Sequence, residues 1–430
     1  MRKSLTYKVL AAVMAAGSLG LYAATPVAAA DNFNAPEDGT IVNGKFDNVY
    51  GNGIPITITG GIIDKNVYGV GEFYYNDDAS GGNVSINGIA NVTGDVYGGR
   101  SYSGEAYNNT VNISGGSVGD VRGGYSGNGE VYDNTVNISG IANVTGDVCG
   151  GRSYSGEAYN NTVNISGGSV EGDVYGGYSY SYDQSISCEA YDNTVNISGG
   201  SVSGDVYGGY VELGIANNNE IIISGSANIE NANLYGSNQT TDTGNTLTID
   251  GWSGSTQSVK NFNDIAFKNI NWNENKPVLK ITTGDLTNTK IDTIHIAGGS
   301  NINVGESMKL IESEKGNDLG LTEGNVTDTF TAGVAREGLG STSVNGNVVT
   351  FNIDSIKLSS QAVSAAQTRA ASAAFVNQGT DLISDSLDTI SRDDNYGVKT
   401  FAAVHGNRSK YDVADDIKIN GWSTIVGVGN

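Results

Sequence analysis

One short phrase recurs eight times between residues 47 and 236, in forms such as Gly94-Asp-Val-Tyr-Gly98 and Gly204-Asp-Val-Tyr-Gly208. Its central apolar residue stands at Val49, Val67, Val96, Val121, Val148, Val174, Val206 and Leu234. After a shorter first gap the period is about 25 to 32 residues, which is typical of solenoids, in which one copy cannot bury its own apolar face and must stack on its neighbours. This recurrence constrains the fold more than any other feature of the chain.

A second phrase, Thr-Val-Asn-Ile-Ser, keeps step with the first in the ranges 109–115, 134–140, 161–167 and 193–199. Both phrases alternate in polarity and are separated by Gly-Gly, Ser and Asn, which is the pattern of short strands joined by turns. Stacking the copies about 4.8 Å apart buries Val and Ile in continuous columns. We therefore predict an all-β fold, a right-handed parallel β-helix (β-solenoid) with two strands in each coil.

A block of the repeat has been duplicated. The ranges 88–118 and 140–170 are identical, except that Tyr97 corresponds to Cys149. A change in the number of coils lengthens a solenoid without specifying a new site. The duplication therefore favours a spacer or display surface over an enzyme.

The charge of the chain restricts its partners. Asp and Glu number 46 against 23 Lys and Arg, for a formal net charge of −23, and residues 71–250 contain no lysine or histidine. Nucleic acid is disfavoured as a partner, because phosphate binding needs a basic face. Only Cys149 and Cys188 are present, too few for a disulfide framework, and the sequence leaves open whether these two form a disulfide.

The N-terminus has the pattern of an export signal. Arg2, Lys3 and Lys8 precede an apolar run, and Ala28-Ala-Ala30 provides small residues for signal-peptidase cleavage. We predict a signal peptide over residues 1–30 and an exported protein.

No catalytic motif is recognisable. Nucleophile and phosphate-loop motifs do not occur, and His295 and His405 lack the spacing of metal ligands. Repetition also argues against catalysis, because an active site needs one unlike group of residues. We predict a protein that is not an enzyme. The alternative is a β-helix enzyme acting on polysaccharides, which requires a unique carboxylate cluster beside a basic residue outside the repeat register.

The residue after each buried Val is a candidate for surface binding. We expect these residues to form a surface ladder, and the binding candidates are Tyr97, Arg122, Tyr175, Tyr207 and Tyr235. Stacked rings would either support neighbouring coils or form a stripe that binds sugar or protein. A column of Asn112, Asn137, Asn164 and Asn196 is predicted to be a hydrogen-bonded ladder.

An aspartate precedes the buried Val in five of the eight copies. The column consists of Asp95, Asp120, Asp147, Asp173 and Asp205. Like charges about 4.8 Å apart repel by roughly 1 kcal/mol per pair even in water. A solvated edge accounts for the column, since the glycine-rich calcium repeat is absent, and calcium ions between the coils, which would relieve this repulsion, are the alternative. We expect no other cofactor.

The pattern changes towards the C-terminus. The β-helix is expected to occupy residues 31–358, with the strict repeat over 47–250, and an Ala-rich helical linker follows over 359–393. Within residues 394–430, the segments 397–405 and 417–428 alternate in polarity and resemble outer-membrane barrel strands.

The order of these parts is similar to the autotransporters of type V secretion, whose passenger reaches the cell surface through a C-terminal barrel with a helix in its lumen. The resemblance is carried by Phe401-Ala-Ala-Val-His-Gly-Asn-Arg-Ser-Lys-Tyr411, by Asn420-Gly-Trp-Ser-Thr-Ile-Val-Gly427, and by Val259-Lys-Asn-Phe-Asn-Asp-Ile265. It implies a passenger at the outer membrane and cell surface, acting as an adhesin or structural surface protein on a host or bacterial surface glycan or protein. A purely structural stalk or coat is the alternative.

The barrel would depart from the family, because two strands cannot close and open edges in hydrocarbon are costly. We therefore expect either a fragment of a longer protein or a truncated product that stays periplasmic.

Overall fold

A computed structural model of the chain describes residues 32–36, 40–71, 76–181, 188–272, 276–316, 318–391, 398–411 and 417–429. The chain divides into two compact units, one of residues 1–193 with 210–214 and one of residues 194–209 with 215–430. Most of the described residues lie in β-strands, and most strand pairs are parallel. The predicted all-β class with stacked parallel strands is confirmed. The predicted signal peptide, residues 1–30, lies outside the described residues.

The strands of the first part of the chain are short. They are β1 Phe33–Asn34, β2 Thr40–Phe46, β3 Val49–Tyr50, β4 Ile56–Ile63, β5 Val67–Gly71, β6 Ala79–Ser80, β7 Asn83–Ile86, β8 Asn91–Val92, β9 Val96–Ser101, β10 Ala106–Tyr107, β11 Thr110–Ile113, β12 Ser117–Val118, β13 Val121–Ser126, β14 Val131–Tyr132, β15 Thr135–Ile138, β16 Asn143–Val144, β17 Val148–Ser153, β18 Ala158–Tyr159, β19 Thr162–Val170, β20 Val174–Ser179 and β21 Cys188–Tyr191.

The later strands are longer on average. They are β22 Thr194–Val202, β23 Val206–Val211, β24 Gly214–Ile215, β25 Glu220–Ser224, β26 Asn233–Tyr235, β27 Thr246–Asp250, β28 Gly254–Lys260, β29 Asp264–Ile270, β30 Leu279–Asp285, β31 Lys290–Ile296, β32 Ser307–Ser313, β33 Thr329–Ala332, β34 Arg336–Asn345, β35 Val348–Leu358, β36 Lys399–Tyr411 and β37 Ile417–Gly429, with a 3₁₀ turn at Glu323–Asn325.

Identical positions of the repeat pair with each other in the first unit. Strands β9, β13, β17 and β20 are joined in parallel by the register Val96 to Val121 to Val148 to Val174. Strands β11, β15 and β19 are joined likewise through Val111, Val136 and Val163. All seven valines are fully buried. The repeat phrases seen in the sequence are therefore the stacked strands of successive coils.

Coils of the first unit also contain short strands that the sequence did not predict. Strands β8, β12 and β16 pair in parallel. The two-residue strands β10, β14 and β18 pair in parallel with one another and with β6 and β21 in a separate sheet. Ala106, Val131 and Ala158 point inwards and are fully buried. An isolated apolar residue beside a tyrosine is too short a pattern to identify a strand, so the expectation of two strands per coil was incomplete.

A ladder of buried asparagines joins the coils of the first unit. Asn109, Asn134, Asn161 and Asn193 are all fully buried. The side-chain oxygen of Asn134 accepts both the backbone N–H (3.1 Å) and the side-chain N–H (2.9 Å) of Asn109. Asn134 donates in the same way to Asn161 (3.2 and 2.9 Å), and Asn161 to Asn193 (3.0 and 3.1 Å). We call these four residues the buried asparagine ladder.

The sequence around the ladder follows from its geometry. The preceding residue has a positive φ, as at Asn108 (55°) and Asp133 (55°), a conformation that Asn and Asp adopt more readily than most residues. The amide of Asn134 also packs against Gly124, where an added Cβ would come within 2.4 Å of its Nδ2 atom. The second glycine of the Gly-Gly pair is therefore required by the asparagine beside it.

The second unit keeps parallel coils and then changes pairing. Strands β25, β27, β29 and β31 are in register through Ile221, Leu247, Ile265 and Ile291, all fully buried. Further on, β35 pairs antiparallel with both β32 and β34, and β34 pairs antiparallel with β33. The fully buried Phe351 of β35 packs against Phe330 of β33 at 5.9 Å between ring centroids. The stack of parallel coils thus gives way to an antiparallel segment.

A single helix, α1 (Ser360–Ser391), follows in the described residues. Ser359 caps it, since its hydroxyl accepts the N–H of Ala362 at 3.1 Å. The Ala-rich sequence favours the helix, and Gly379 does not interrupt it. None of the described helical segments has the length and apolar character needed to cross a membrane.

Strands β36 and β37 form an antiparallel hairpin that packs against α1. The amide of Gln378 on the helix lies against Gly421 of β37. Exposure alternates along both strands: Val404, Trp422, Val426 and Val428 are 65 to 82% exposed, and the residues between them are half-buried. The two alternating segments predicted from the sequence are therefore strands. Their exposed face is apolar towards the end that contains Trp422, Val426 and Val428, and it is charged at Arg408, Lys410 and Lys418.

Replacing Asn134 with Ala should lower the free energy of unfolding by about 2 to 4 kcal/mol, because the buried donors and acceptors that it serves lose their partner. The matched control is Asn137→Ala in the adjoining strand, where the half-buried Asn137 donates to Asn112 at 2.8 Å. There we expect a loss under about 1 kcal/mol. Urea unfolding of the full chain measures both, and equal losses would contradict a special role for the buried asparagine ladder.

Candidate functional site

The tyrosine column predicted from the sequence is a stack of rings. Tyr50 stacks on Tyr68 at 5.2 Å between centroids and 8° between planes, and Tyr68 stacks on Tyr97 at 5.3 Å and 5°. In the second unit Tyr207 stacks on Tyr235 at 4.7 Å and 9°. The faces of these rings are covered by one another, as parallel stacking at the spacing of the coils requires.

The expectation that this column stands on the surface is wrong for two of its members. Tyr97 is 3% exposed and Arg122 is 8% exposed, whereas Tyr175, Tyr207 and Tyr235 are half-buried. A second column on the same strands covers the first: the guanidinium of Arg100 lies 4.6 Å from the Tyr97 ring, and Tyr125 meets that ring edge-on at 5.8 Å. The sequence places Arg100, Tyr125, Arg152 and Tyr178 in one register of the stacked coils, but it does not show that this column covers the first.

The aspartate column is bonded by the protein itself. The Oδ1 atom of Asp120 accepts the backbone N–H of Asp147 in the next coil (2.9 Å), and Asp147 accepts that of Asp173 in the same way (2.9 Å). The Oδ2 atom of Asp95 accepts the hydroxyl of Tyr97 at 2.6 Å. The carboxylates of this column thus connect neighbouring coils, and they hold the tyrosine of their own coil where the repeat supplies one.

Arg122 neutralises two of these carboxylates. It occupies a tyrosine position of the repeat and donates to Asp95 (2.7 Å) and Asp120 (2.5 Å), as well as to the Tyr97 hydroxyl (3.0 Å). Its positive charge relieves part of the repulsion along the column. Among the residues that the structure describes, no group of three or more His, Cys, Asp or Glu is placed to hold a metal ion.

Another tyrosine ladder lies on the short strands. Tyr107, Tyr132, Tyr159 and Tyr191 stack at 5.0 Å with their planes within 6°. Each hydroxyl after the first donates to a glutamate of the preceding coil, as Tyr132 does to Glu105 at 2.9 Å. Burial and the hydrogen bond to Glu105 raise the pKa of Tyr132. This ladder was not predicted from the sequence, although the recurring Glu-x-Tyr is a signal that could have revealed it.

The polar column of Asn112, Asn137 and Asn164 is confirmed as a hydrogen-bonded ladder, with side-chain bonds of 2.8 and 2.9 Å. Of the two histidines, His295 accepts the backbone N–H of Asn269, and His405 lies 3.9 Å from Asp381. The repeated polar side chains of the solenoid are thus mainly bonded to equivalent residues one coil away.

One coil of the first unit departs from this pattern. Its residues Asp147, Cys149 and Arg152 correspond to Asp95, Tyr97 and Arg100 in the duplicated block. Cys149 is too short to reach the carboxylate of Asp147 as Tyr97 reaches Asp95, and its thiol instead lies 3.1 Å from the carbonyl oxygen of Gly151. Burial raises the pKa of the Asp147 carboxyl. We call Asp147, Cys149, Arg152 and Tyr154 the variant coil.

The two cysteines are free and buried. Cys149 lies in β17 and Cys188 in β21, which belong to different sheets, and burial raises the pKa of the Cys149 thiol to about 12. The disulfide that the sequence left open is not formed.

No family model matches the chain, and comparisons with curated proteins and with solved structures found no match.

Asp120→Asn and Asp147→Asn should have opposite effects on stability. Asp120→Asn removes a charged partner of the buried Arg122, so we expect a loss of about 1 to 3 kcal/mol at pH 7. Asp147→Asn keeps the acceptor for the Asp173 N–H and removes a carboxylate whose pKa is raised in the folded state. It should leave the melting temperature unchanged or raise it at pH 7.

The pH dependence of stability tests whether the raised pKa of Asp147 causes the effect of Asp147→Asn. Because the folded-state pKa of Asp147 is raised, its contribution to stability is fully present below the unfolded value and is lost as pH rises through the folded value. The difference between Asp147→Asn and the wild type should therefore disappear below a pH of about 3. Thermal unfolding at pH 3, 5 and 7 measures it, and a lower melting temperature of this variant at pH 7 would contradict the prediction.

Iodoacetamide at pH 8 should modify Cys149 and Cys188 at least about 100-fold more slowly in the folded chain than in urea, because the thiolate is the reactive species and both side chains are buried. The control is Ser103→Cys, at an exposed turn position of the same unit, which should react at a similar rate in both conditions. Mass spectrometry of the alkylated peptides gives the rates. Fast labelling of native Cys149 would show that the variant coil is open.

Proposed function

We propose that this chain is an exported autotransporter passenger with part of its translocator, displayed on the surface of a double-membraned bacterium as a non-catalytic adhesin or structural surface protein. The observation that carries the proposal is the order of parts in one chain: stacked parallel coils, then the 32-residue helix α1, then an antiparallel hairpin packed on that helix. We also propose that the coils are right-handed and that helix α1 lies inside the lumen of a barrel.

The hairpin supports the translocator part. Trp422, Val426 and Val428 are exposed on one face, while Gly421 on the other face meets Gln378 of the helix. An outer-membrane strand needs such an apolar face towards lipid and small or polar residues towards the lumen. Further strands would pair with the open edges of β36 and β37.

The coils support a non-catalytic role. The cluster nearest to a catalytic arrangement is Asp95, Asp120 and Arg122, but Arg122 is buried and bonds both carboxylates. A general acid or base must reach its substrate with a free oxygen or nitrogen. A polysaccharide-acting enzyme is therefore disfavoured, and an adhesin whose strength comes from weak contacts repeated along the coils is favoured.

Surface display tests this proposal. When the complete locus is expressed, protease added to intact cells should release the repeats. Val426→Arg, which puts a charge on the apolar hairpin face, should reduce display strongly, because an arginine near the bilayer midplane costs about 2 to 4 kcal/mol. The control is Lys410→Arg, a conservative change at an exposed position near the far end of β36. Repeats that stay protected in wild-type cells, or equal display by both variants, would contradict the proposal.

A further inference from the structure

Within the described residues of the first unit, the variant coil contains an aspartate of the column whose second carboxylate oxygen is not bonded. The Oδ1 atom of Asp147 accepts the N–H of Asp173, but no donor among the described residues contacts its Oδ2 atom. The equivalent Oδ2 atoms of Asp95 and Asp120 are both bonded to Arg122. Asp147 is half-buried, so this oxygen is open to a ligand.

Arg152 is also incompletely bonded. It forms no ion pair with a carboxylate of the described residues, although the chain carries a net charge of −23. One Nη atom donates to the hydroxyl of Tyr154 at 3.0 Å, and the buried Nε atom has no acceptor among the described residues. The guanidinium lies over the rings of Tyr178 (4.5 Å) and Tyr154 (5.1 Å), which fix its position. Within the described part of the chain it is a preorganised, half-exposed cation without an anion.

The difference between Tyr97 and Cys149 explains the unbonded Asp147 oxygen and the missing ring beside Arg152. In the first copy of the block, the Tyr97 hydroxyl donates a hydrogen bond to the Asp95 carboxylate. The centroid of the Tyr97 ring lies 4.6 Å from the guanidinium of Arg100. In the second copy the thiol of Cys149 does neither, and the carboxylate and guanidinium on the two sides of it are not joined by an ion pair. A single difference in a duplicated block has produced the unlike group of residues that the other coils lack.

We propose that the variant coil binds an acidic sugar residue of a surface glycan. Arg152 binds the sugar carboxylate through its planar fork of donors, Asp147 accepts hydrogen bonds from sugar hydroxyls, and the half-exposed ring of Tyr154 contacts the apolar face of the sugar. A uronic acid carries all three kinds of group on one ring. This inference rests on the proposed function, since it gives the adhesin a specific ligand class.

The test measures binding of purified full-length protein to tri-galacturonic acid by calorimetry, with galactotriose as the matched neutral probe. The wild type should bind the acidic trisaccharide at least about 10-fold more tightly than the neutral one, because one charge-assisted contact is worth at least about 1.4 kcal/mol. Arg152→Gln should remove this preference, and Arg152→Lys should restore it in part, since lysine keeps the charge without the fork.

The most specific variant is Cys149→Tyr, which restores the residue of the first copy. Its hydroxyl should donate a hydrogen bond to the Asp147 carboxylate, and its ring should lie under the Arg152 guanidinium. The affinity for the acidic trisaccharide should therefore fall at least about 10-fold, while the melting temperature stays unchanged or rises. The control is Glu171→Gln, an exposed residue of the next turn, which should leave affinity unchanged.

Two outcomes would overturn the site. Binding that survives Arg152→Gln and Cys149→Tyr in folded protein would show that the acidic sugar binds elsewhere, which leaves the proposed adhesin function standing. No preference of the wild type for the acidic trisaccharide would also overturn it. Surface display is measured separately on cells, so failure of the site and failure of the proposed function are distinguishable.

Discussion

The bonding of each buried asparagine to the next is the interaction on which the solenoid depends. The amide of Asn134 serves its own coil, the coil before and the coil after, and it is fully buried among apolar columns. A buried amide that loses its partner keeps the whole cost of its desolvation, so neighbouring coils must stay in one register. The Val and Ile columns contribute most of the apolar burial, but they would tolerate a shift along the strand that the asparagines do not.

This register also explains how coils of different length coexist. Ser153 pairs with Ser179, and Ala158 pairs with Ala190. The chain from Ser179 to Ala190 is nevertheless longer than the chain from Ser153 to Ala158, and its additional residues fall between two positions that remain in register with the coil before. A longer connection between two stacked positions adds little entropic cost, and so the period of the sequence varies while the stacked strands do not shift.

The repeat itself provides hydrogen-bond and ion-pair partners for its aspartate column. Backbone N–H groups of the next coil and the hydroxyls of Tyr97 and Tyr175 bond the aspartate column, and Arg122 supplies a buried cation where two carboxylates converge. Side chains that hydrogen-bond to one another along the solenoid stabilise the fold and are not available to a ligand. A ligand therefore needs a coil where this bonding is broken, and Cys149 breaks it by leaving Asp147 and Arg152 without the partners that their counterparts have.

The sequence by itself determined the β class, the stacked copies and the positions of the inward valines, because period and alternation are read directly from the order of residues. It also identified the column of Asn112, Asn137 and Asn164, the helix and the two strands after it. Only the tertiary structure decided that Tyr97 and Arg122 are buried, that Asn109 and its counterparts carry the register, and that short strands, one set of them with its own tyrosines, complete the coils of the first unit. The physical reason is that alternation indicates which side of a strand a residue takes, whereas burial depends on what the neighbouring column places over it. The placement of Arg100 over the Tyr97 ring has no counterpart in a linear pattern.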